Sequence, residues 1–151
     1  MDDHLRGLQI VPMQAKHIEP LAEIEKLCFS RPWSYESLAE ELSNPLAVFL
    51  VAEEDGAVAG YAGMHHVVDE GYITNVAVRP EFRRRGVATA LVHALSAYAD
   101  ENGLTMLTLE VRASNRGAIS IYRREGFAQE GERRDFYEDP SEDALILTKR
   151  Y

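Results

Sequence analysis

Cysteine is almost missing from this chain of 151 residues: Cys28 stands alone, which excludes an internal disulfide and a thiolate-built metal cluster. Long apolar runs are missing too. The longest, Ala47 to Ala52, is too short to cross a bilayer, and the acidic opening Met1-Asp2-Asp3 has neither the basic nor the apolar segment of a signal peptide. A cytosolic protein without a membrane partner is therefore expected. No internal repeat, low-complexity stretch or Pro/Ser-rich linker interrupts the chain, so one globular domain over 1–151 is the simplest organisation.

Charge is present and uneven. Of a formal net charge of -9, residues 1–70 carry 13 acids against 4 bases, whereas residues 71–151 carry 12 of each. Such an acidic chain is ill-suited to direct nucleic-acid binding, which needs a basic surface to displace phosphate counterions, and well suited to a cationic or amine substrate. Arg79, Arg83, Arg84 and Arg85 form a local exception with only Glu81 opposing, the mark of one anionic ligand rather than a polyanion track.

Leu8 to Met13 reads as a first strand, and Ile18, Leu21, Ile24 and Leu27 recur at helical spacing up to about Cys28, with Pro20 tolerable in the first turn. Ser34 caps a short second helix expected to reach about Leu42 before Asn44-Pro45. Ala47–Glu53 and Val58–Val67 flank the hairpin signal Asp55-Gly56, and Tyr72–Val78 is a further strand. The longest helix runs from Gly86 to Asn102-Gly103, followed by a strand Met106–Val111, a helix capped by Ser114 or Asn115 and closing at Gly126, and two strands, one from Phe127 onward and one over Leu145–Thr148. The class is α/β, a mixed central sheet flanked by helices.

The strongest local arrangement is the strand Tyr72 to Val78, the arginine turn, and Gly86-Val87-Ala88 opening a helix. Unpaired N–H groups at a helix start, with glycine allowing close approach, suit phosphate oxygens. A solvated arginine-rich turn is the plain alternative. Arg83-Arg84-Arg85-Gly86-Val87-Ala88 and the spaced set Asn115, Ala118, Tyr122, Gly126 and Phe127 together resemble the GNAT N-acetyltransferases. Further likeness lies in Pro32-Trp33-Ser34, Asn75-Val76-Ala77-Val78, Leu109-Glu110-Val111-Arg112-Ala113-Ser114-Asn115 and Arg133-Arg134-Asp135-Phe136-Tyr137. These point to the branch of the family that acetylates a ribosomal-protein N-terminus.

The resemblance implies a GNAT (acyl-CoA N-acyltransferase) fold and acetyl-CoA as cosubstrate, without a metal. Its pyrophosphate would lie on Arg83, Arg84, Arg85, Gly86, Val87 and Ala88, its arm along the main chain of Val76, Ala77 and Val78, with Asn115 and Tyr122 also in contact. The acceptor implied is the N-terminal alanine of the eighteenth small-subunit ribosomal protein, against Trp33, Asn75, Glu110 and Tyr137. Two rival readings stay open: acetylation of other N-termini or of a small amine, polyamine or antibiotic on the same frame, and a catalytically idle acyl-CoA sensor or assembly partner.

The chemistry itself narrows the catalysts. An α-amino group with pKa near 8 is mostly protonated at neutral pH, so attack on a thioester needs a base. Glu110 is the only charged residue in its apolar strand, where partial burial would disfavour ionisation; a surface pairing with Arg112 is the alternative. A departing thiolate needs a proton, which Tyr122 could supply, although it could equally be a core residue. Asn115 serves as a cap whether or not it touches a cofactor. Tyr137 could be an exposed turn residue and Trp33 a loop anchor. His65 and His66, adjacent in a strand, face opposite sides and cannot chelate one metal. Cys28 reads as a buried apolar filler.

Overall fold

The computed structural model describes residues 7–151. Its centre is a seven-stranded sheet ordered β1-β2-β3-β4-β5-β7-β6. The strands are β1 (Leu8–Pro12), β2 (Ala47–Glu54), β3 (Ala57–Val67), β4 (Glu70–Val78), β5 (Met106–Arg112), β6 (Ala128–Tyr137) and β7 (Glu142–Arg150). Only β4 and β5 pair in parallel; the other neighbours are antiparallel. The helices are α1 (Ile18–Cys28), α2 (Tyr35–Glu40), α3 (Val87–Glu101) and α4 (Arg116–Arg124). None is long and apolar enough to cross a membrane.

Period-two alternation along the strands feeds two cores. Ala62, Met64, Leu107, Leu109 and Leu147 meet Leu91 and Leu95 of α3 and Ile119 of α4 on one face. Phe49, Val51 and Tyr61 meet Ile18, Leu21 and Ile24 of α1 and Leu38 of α2 on the other. At about 25 cal/mol per Å² of apolar surface removed from water, each large side chain here contributes about 1.5–3 kcal/mol.

Local signals act as expected at most boundaries. The Ser37 N–H donates to Ser34 Oγ at 3.1 Å and caps α2; the Ala118 N–H donates to Asn115 Oδ1 at 3.2 Å and caps α4. Asp55 and Gly56 both have left-handed φ, 51° and 85°, as a two-residue hairpin turn requires. α2 is shorter than its pattern suggests, because its last turn, Glu41–Ser43, tightens to a 3-10 helix ahead of Pro45, which disfavours helical backbone in the preceding residue. β4 begins two residues earlier than its apolar pattern, and β7 extends at both ends. β7 is bonded along its length to β5 and β6, so its polar ends are held by ladder bonds that hydrophobic patterning cannot reveal.

Candidate active site

β4 and β5 stay together for three residue pairs, Glu70 with Met106, Gly71 with Leu107 and Tyr72 with Thr108. Beyond Tyr72 they part. β5 continues alongside β7 to Arg112 and β4 continues alongside β3 to Val78, so Ile73 to Val78 have no strand partner on the β5 side. The N–H groups on that edge are available to another acceptor. Within this stretch lie Val76, Ala77 and Val78, whose main chain the resemblance assigns to a cofactor arm.

A bulge sets the side chains there. β3 pairs Gly63 with Asn75 and Met64 with Ile73, leaving Thr74 as an extra residue. Ile73 therefore packs in the α3 core while Asn75, two residues on, bonds to Tyr61 in the α1 core. Val76 and Val78 return to the α3 side, and Ala77 is buried on the α1 side.

Glu110 lies two residues past the last β4–β5 pair. Leu107, Leu109 and Val111 fill the α3 core, so alternation turns Thr108 and Glu110 to the opposite face. The Glu110 side chain is 8% exposed; its Oε1 is 3.4 Å from Arg133 Nε, whose own side chain is 58% exposed. Tyr72 donates its hydroxyl to Glu110 Oε2. Burial and this carboxylate push the Tyr72 phenol well above its ordinary range.

Arg112 has other work than pairing with Glu110, the plain alternative for that carboxylate. It donates to the main-chain oxygens of Glu138 and Pro140, each at 2.9 Å, and lies 3.3 Å from Glu142, with its guanidinium 4.5 Å from the centroid of the Tyr137 ring. These bonds clamp the β6–β7 hairpin. Glu142 also accepts the Ser114 N–H at 2.6 Å, and the bonds it takes from Ser114, then from Arg112, hold its carboxyl below the usual range. Tyr137, half-buried beside this clamp, has its phenol pushed up to about 12, first by burial and then by the Glu110 charge. At the hairpin tip Arg31 pairs with Glu138 at 2.6 Å and Asp139 at 2.8 Å, tying the α1–α2 loop to the hairpin.

Tyr122 is a core residue, 6% exposed, packed edge-on against Phe127 at 5.6 Å between centroids. Burial, and then the nearby Tyr137, raise its phenol well above the ordinary value. Trp33 is anchored as a loop residue: its N–H donates to Glu25 Oε1 at 2.8 Å and its ring lies 6.2 Å from Phe49.

Three of the four clustered guanidinium groups turn to protein partners. Arg79 pairs with Glu23 at 3.3 Å, Arg85 with Glu54 at 2.8 Å, and Arg83 donates to the Val78 carbonyl oxygen at 3.2 Å. Two of the four charges read as a cluster from the sequence are thus paired with acids remote in the chain. What the turn keeps is backbone: Arg84 and Gly86 are left-handed, at φ 62° and 83°, and Gly86 caps α3. Alternating conformations of this kind aim successive N–H groups inward, and the α3 dipole adds positive potential. Val87 is buried beneath the turn and Ala88 packs at the edge of the same core.

The remaining sequence candidates fall outside the site. His65 contacts Glu41 at 2.8 Å, whereas His66 contacts Tyr98 of α3 at 3.1 Å, on opposite faces. Cys28 is only half-buried, its thiol donating to the Val78 carbonyl oxygen at 3.4 Å, so it is not the sealed filler expected. Among the described residues no three His, Cys, Asp or Glu side chains converge as a metal site.

Sequence reasoning missed Tyr72, Tyr61 and Glu25. Tyrosines in a strand carry no distinguishing pattern. Glu25 did leave a signal: it stands four residues after Leu21 and seven after Ile18, a charge on the apolar stripe of α1, and it is 1% exposed.

Residues 18–127 match the model of the acetyltransferase (GNAT) family. A Bacillus subtilis (strain 168) protein is 39% identical over 136 residues, 89% of this chain and 90% of the relative. The ribosomal protein bS18-alanine N-acetyltransferase of Escherichia coli (strain K12) is 35% identical over 126 residues, 82% of this chain and 84% of its own. The crystal structure of the ribosomal-protein-S18-alanine N-acetyltransferase from Escherichia coli superposes with a TM-score of 0.88 at 30% identity, covering 95% and 93% of the two chains.

Proposed function

The chain belongs to the GNAT acetyltransferase family, in its RimI branch of acetyl-CoA-dependent N-α-acetyltransferases, and from that premise we propose that it acetylates the N-terminal alanine of a small-subunit ribosomal protein. Acetyl-CoA supplies the acetyl group as an activated thioester. The residues present suit it: β4 offers an unpaired main-chain edge from Ile73 to Val78, and the turn at Arg84 and Gly86 offers inward N–H groups at the start of α3. In this reading Val76, Ala77 and Val78 bond the arm through their backbone, Arg83 to Ala88 hold the pyrophosphate, and Asn115 and Tyr122 border it.

The observation that carries the reading is the position of Glu110. Its carboxylate stands just past the parting of β4 and β5, on the face away from α3, under the hairpin that Arg112 clamps. A base so placed takes a proton from the acceptor ammonium, directly or through one water, while the acceptor chain lies between the Trp33 loop and Tyr137. The amine nitrogen then bonds to the acetyl carbon as the carbon–sulfur bond breaks, and the second proton it sheds on becoming an amide passes through water to restore the Tyr122 phenol. Tyr122 gives its proton to the departing sulfur; its raised proton affinity keeps the phenol protonated until then. An acidic protein draws in a basic chain terminus.

Mass-spectrometric mapping tests this directly, after incubation with acetyl-CoA and a panel of Ala-Arg-starting peptides, other N-termini, internal-lysine peptides and polyamines. Acetyl on the alanine terminus alone is the expected result. Acetyl on several N-termini widens the acceptor range, acetyl only on small amines overturns the peptide reading, and no acetyl despite measurable acetyl-CoA binding points to a sensor.

A further inference from the structure

Oδ1 of Asn75 is a buried polar atom without a hydrogen-bond partner, on a residue 6% exposed. Buried acceptors left without a partner are rare because nothing in the unliganded chain replaces the water they lose. The nitrogen of the same amide is engaged. Asn75 Nδ2 donates to the Tyr61 hydroxyl oxygen at 2.9 Å, Tyr61 donates its own proton to Glu25 Oε2 at 2.7 Å, and Glu25 Oε1 accepts the Trp33 N–H at 2.8 Å.

The direction of this chain follows from its end. An ionised carboxylate only accepts, so Tyr61 must donate to Glu25; the Tyr61 oxygen is then left to accept, and it draws Nδ2 rather than Oδ1 of Asn75. Glu25 and Tyr61 are 1% and 0% exposed, so water does not scramble the order. The result is an amide locked with its oxygen away from Tyr61.

We propose that Glu25 and Tyr61 are positioning residues that present Asn75 Oδ1 as a hydrogen-bond acceptor to an N–H of the acceptor amine. This rests on the amine-acetylating reading above. Asn75 sits on the half of β4 that β5 leaves, and the Thr74 bulge turns it to the α1 face. That is the face Glu110 occupies, opposite the α3 and α4 helices that carry the Gly86 turn and Asn115. The donor assigned to Oδ1 on that face is accordingly the acceptor, the partner of Glu110, and not the cofactor. A carbonyl oxygen suits both the ammonium and the neutral amine, so the contact persists as Glu110 takes the proton. A flipped amide would oppose an N–H to an N–H.

Steady-state kinetics with the Ala-Arg-starting peptide varied at saturating acetyl-CoA separate this role from simple packing. Tyr61→Phe removes the acceptor for Nδ2 and frees the amide to flip. Glu25→Gln reverses the chain: its amide donates to Tyr61, Tyr61 donates to Asn75 Oδ1, and Nδ2 takes the outward place. Each is expected to raise peptide KM by about tenfold, the scale of a hydrogen bond to a charged group, with kcat and acetyl-CoA KM within about twofold. Asn75→Ala sets the ceiling, and Tyr61→Phe combined with it is expected to be no worse than Asn75→Ala alone.

An unchanged peptide KM in Glu25→Gln and Asn75→Ala, a parallel rise in both KM values, or additive losses in the double variant overturns the proposal. Melting temperatures identify any variant that fails to fold; if Tyr61→Phe does, the other two decide. Failure of the wild-type protein to acetylate any peptide instead removes the reading of the reaction, and this proposal with it.

Discussion

Two carboxylates in this molecule each accept a tyrosine hydroxyl, and their surroundings differ in one decisive respect. Glu25 takes its bond from Tyr61 inside the α1 core, where both residues are buried and the other carboxylate oxygen accepts the neutral backbone N–H of Trp33. Glu110 takes its bond from Tyr72 at the open seam between β4 and β5, with a guanidinium that is 58% exposed on its other oxygen. In the proposed reaction the same pair of functional groups serves as a fixed orienting element in one place and as a proton acceptor with an exchangeable neighbour in the other. Burial on all sides, rather than residue type, separates the two roles.

The sharpest way to break the contrast is at the open pair. Glu110→Gln keeps the shape and removes the base, and kcat is expected to fall by about 10²–10⁴ while calorimetry shows unchanged acetyl-CoA affinity. A profile equal to wild type across pH 6–9 takes Glu110 out of the mechanism. Tyr122→Phe is expected to lower kcat by about a hundredfold as the acid is lost; full activity would leave this residue a purely packing one.

Gly86→Val tests whether the cofactor side is independent of both pairs. A β-branched residue at φ 83° is strained by about 1–3 kcal/mol, and acetyl-CoA Kd is expected to rise about tenfold or more with peptide recognition intact. Equal affinity would contradict the turn as a phosphate site. Tyr72→Phe is milder, since Arg133 and water remain to solvate Glu110. A drop in kcat of about three- to tenfold, the scale of an ordinary net hydrogen bond, distinguishes an orienting Tyr72 from an idle one.

The smallest effect concerns the closed pair and pH. Burial raises the proton affinity of Glu25 above the ordinary 4.5, against the bonds from Trp33, Tyr61 and Asn75. A group raised in the folded state stabilises fully below its unfolded pKa and loses that contribution as pH rises through the folded one. The melting temperature of wild type minus that of Glu25→Gln is therefore expected to increase on going from neutral pH toward 4.5 and to level off below. A flat difference would show that Glu25 is not strained by its charge.

Much of this was legible in the residues. Caps and turns announced themselves through Ser34, Asn115 and Asp55-Gly56, because each satisfies its bonds within a few residues of itself. Glu110 stood out as the only charge in an apolar strand. The parting of β4 from β5 and the extra residue at Thr74 were not visible, since both are matters of register between strands and leave no mark on either strand alone. Nor could the arginine cluster reveal its partners: Glu23 and Glu54 lie more than twenty residues away and meet it only after folding.

The free edge of β4 has a consequence for isotope labelling. Amides of Ile73 to Val78 that point toward β3 are locked in the ladder and should exchange with deuterium slowly, while those pointing to the opposite edge have no acceptor strand. In the unliganded protein, adjacent residues past the Thr74 bulge, from Asn75 to Val78, should then alternate between slow and fast exchange. Slowing of the fast set when acetyl-CoA is added would trace its footprint along the main chain atom by atom, without any turnover being measured.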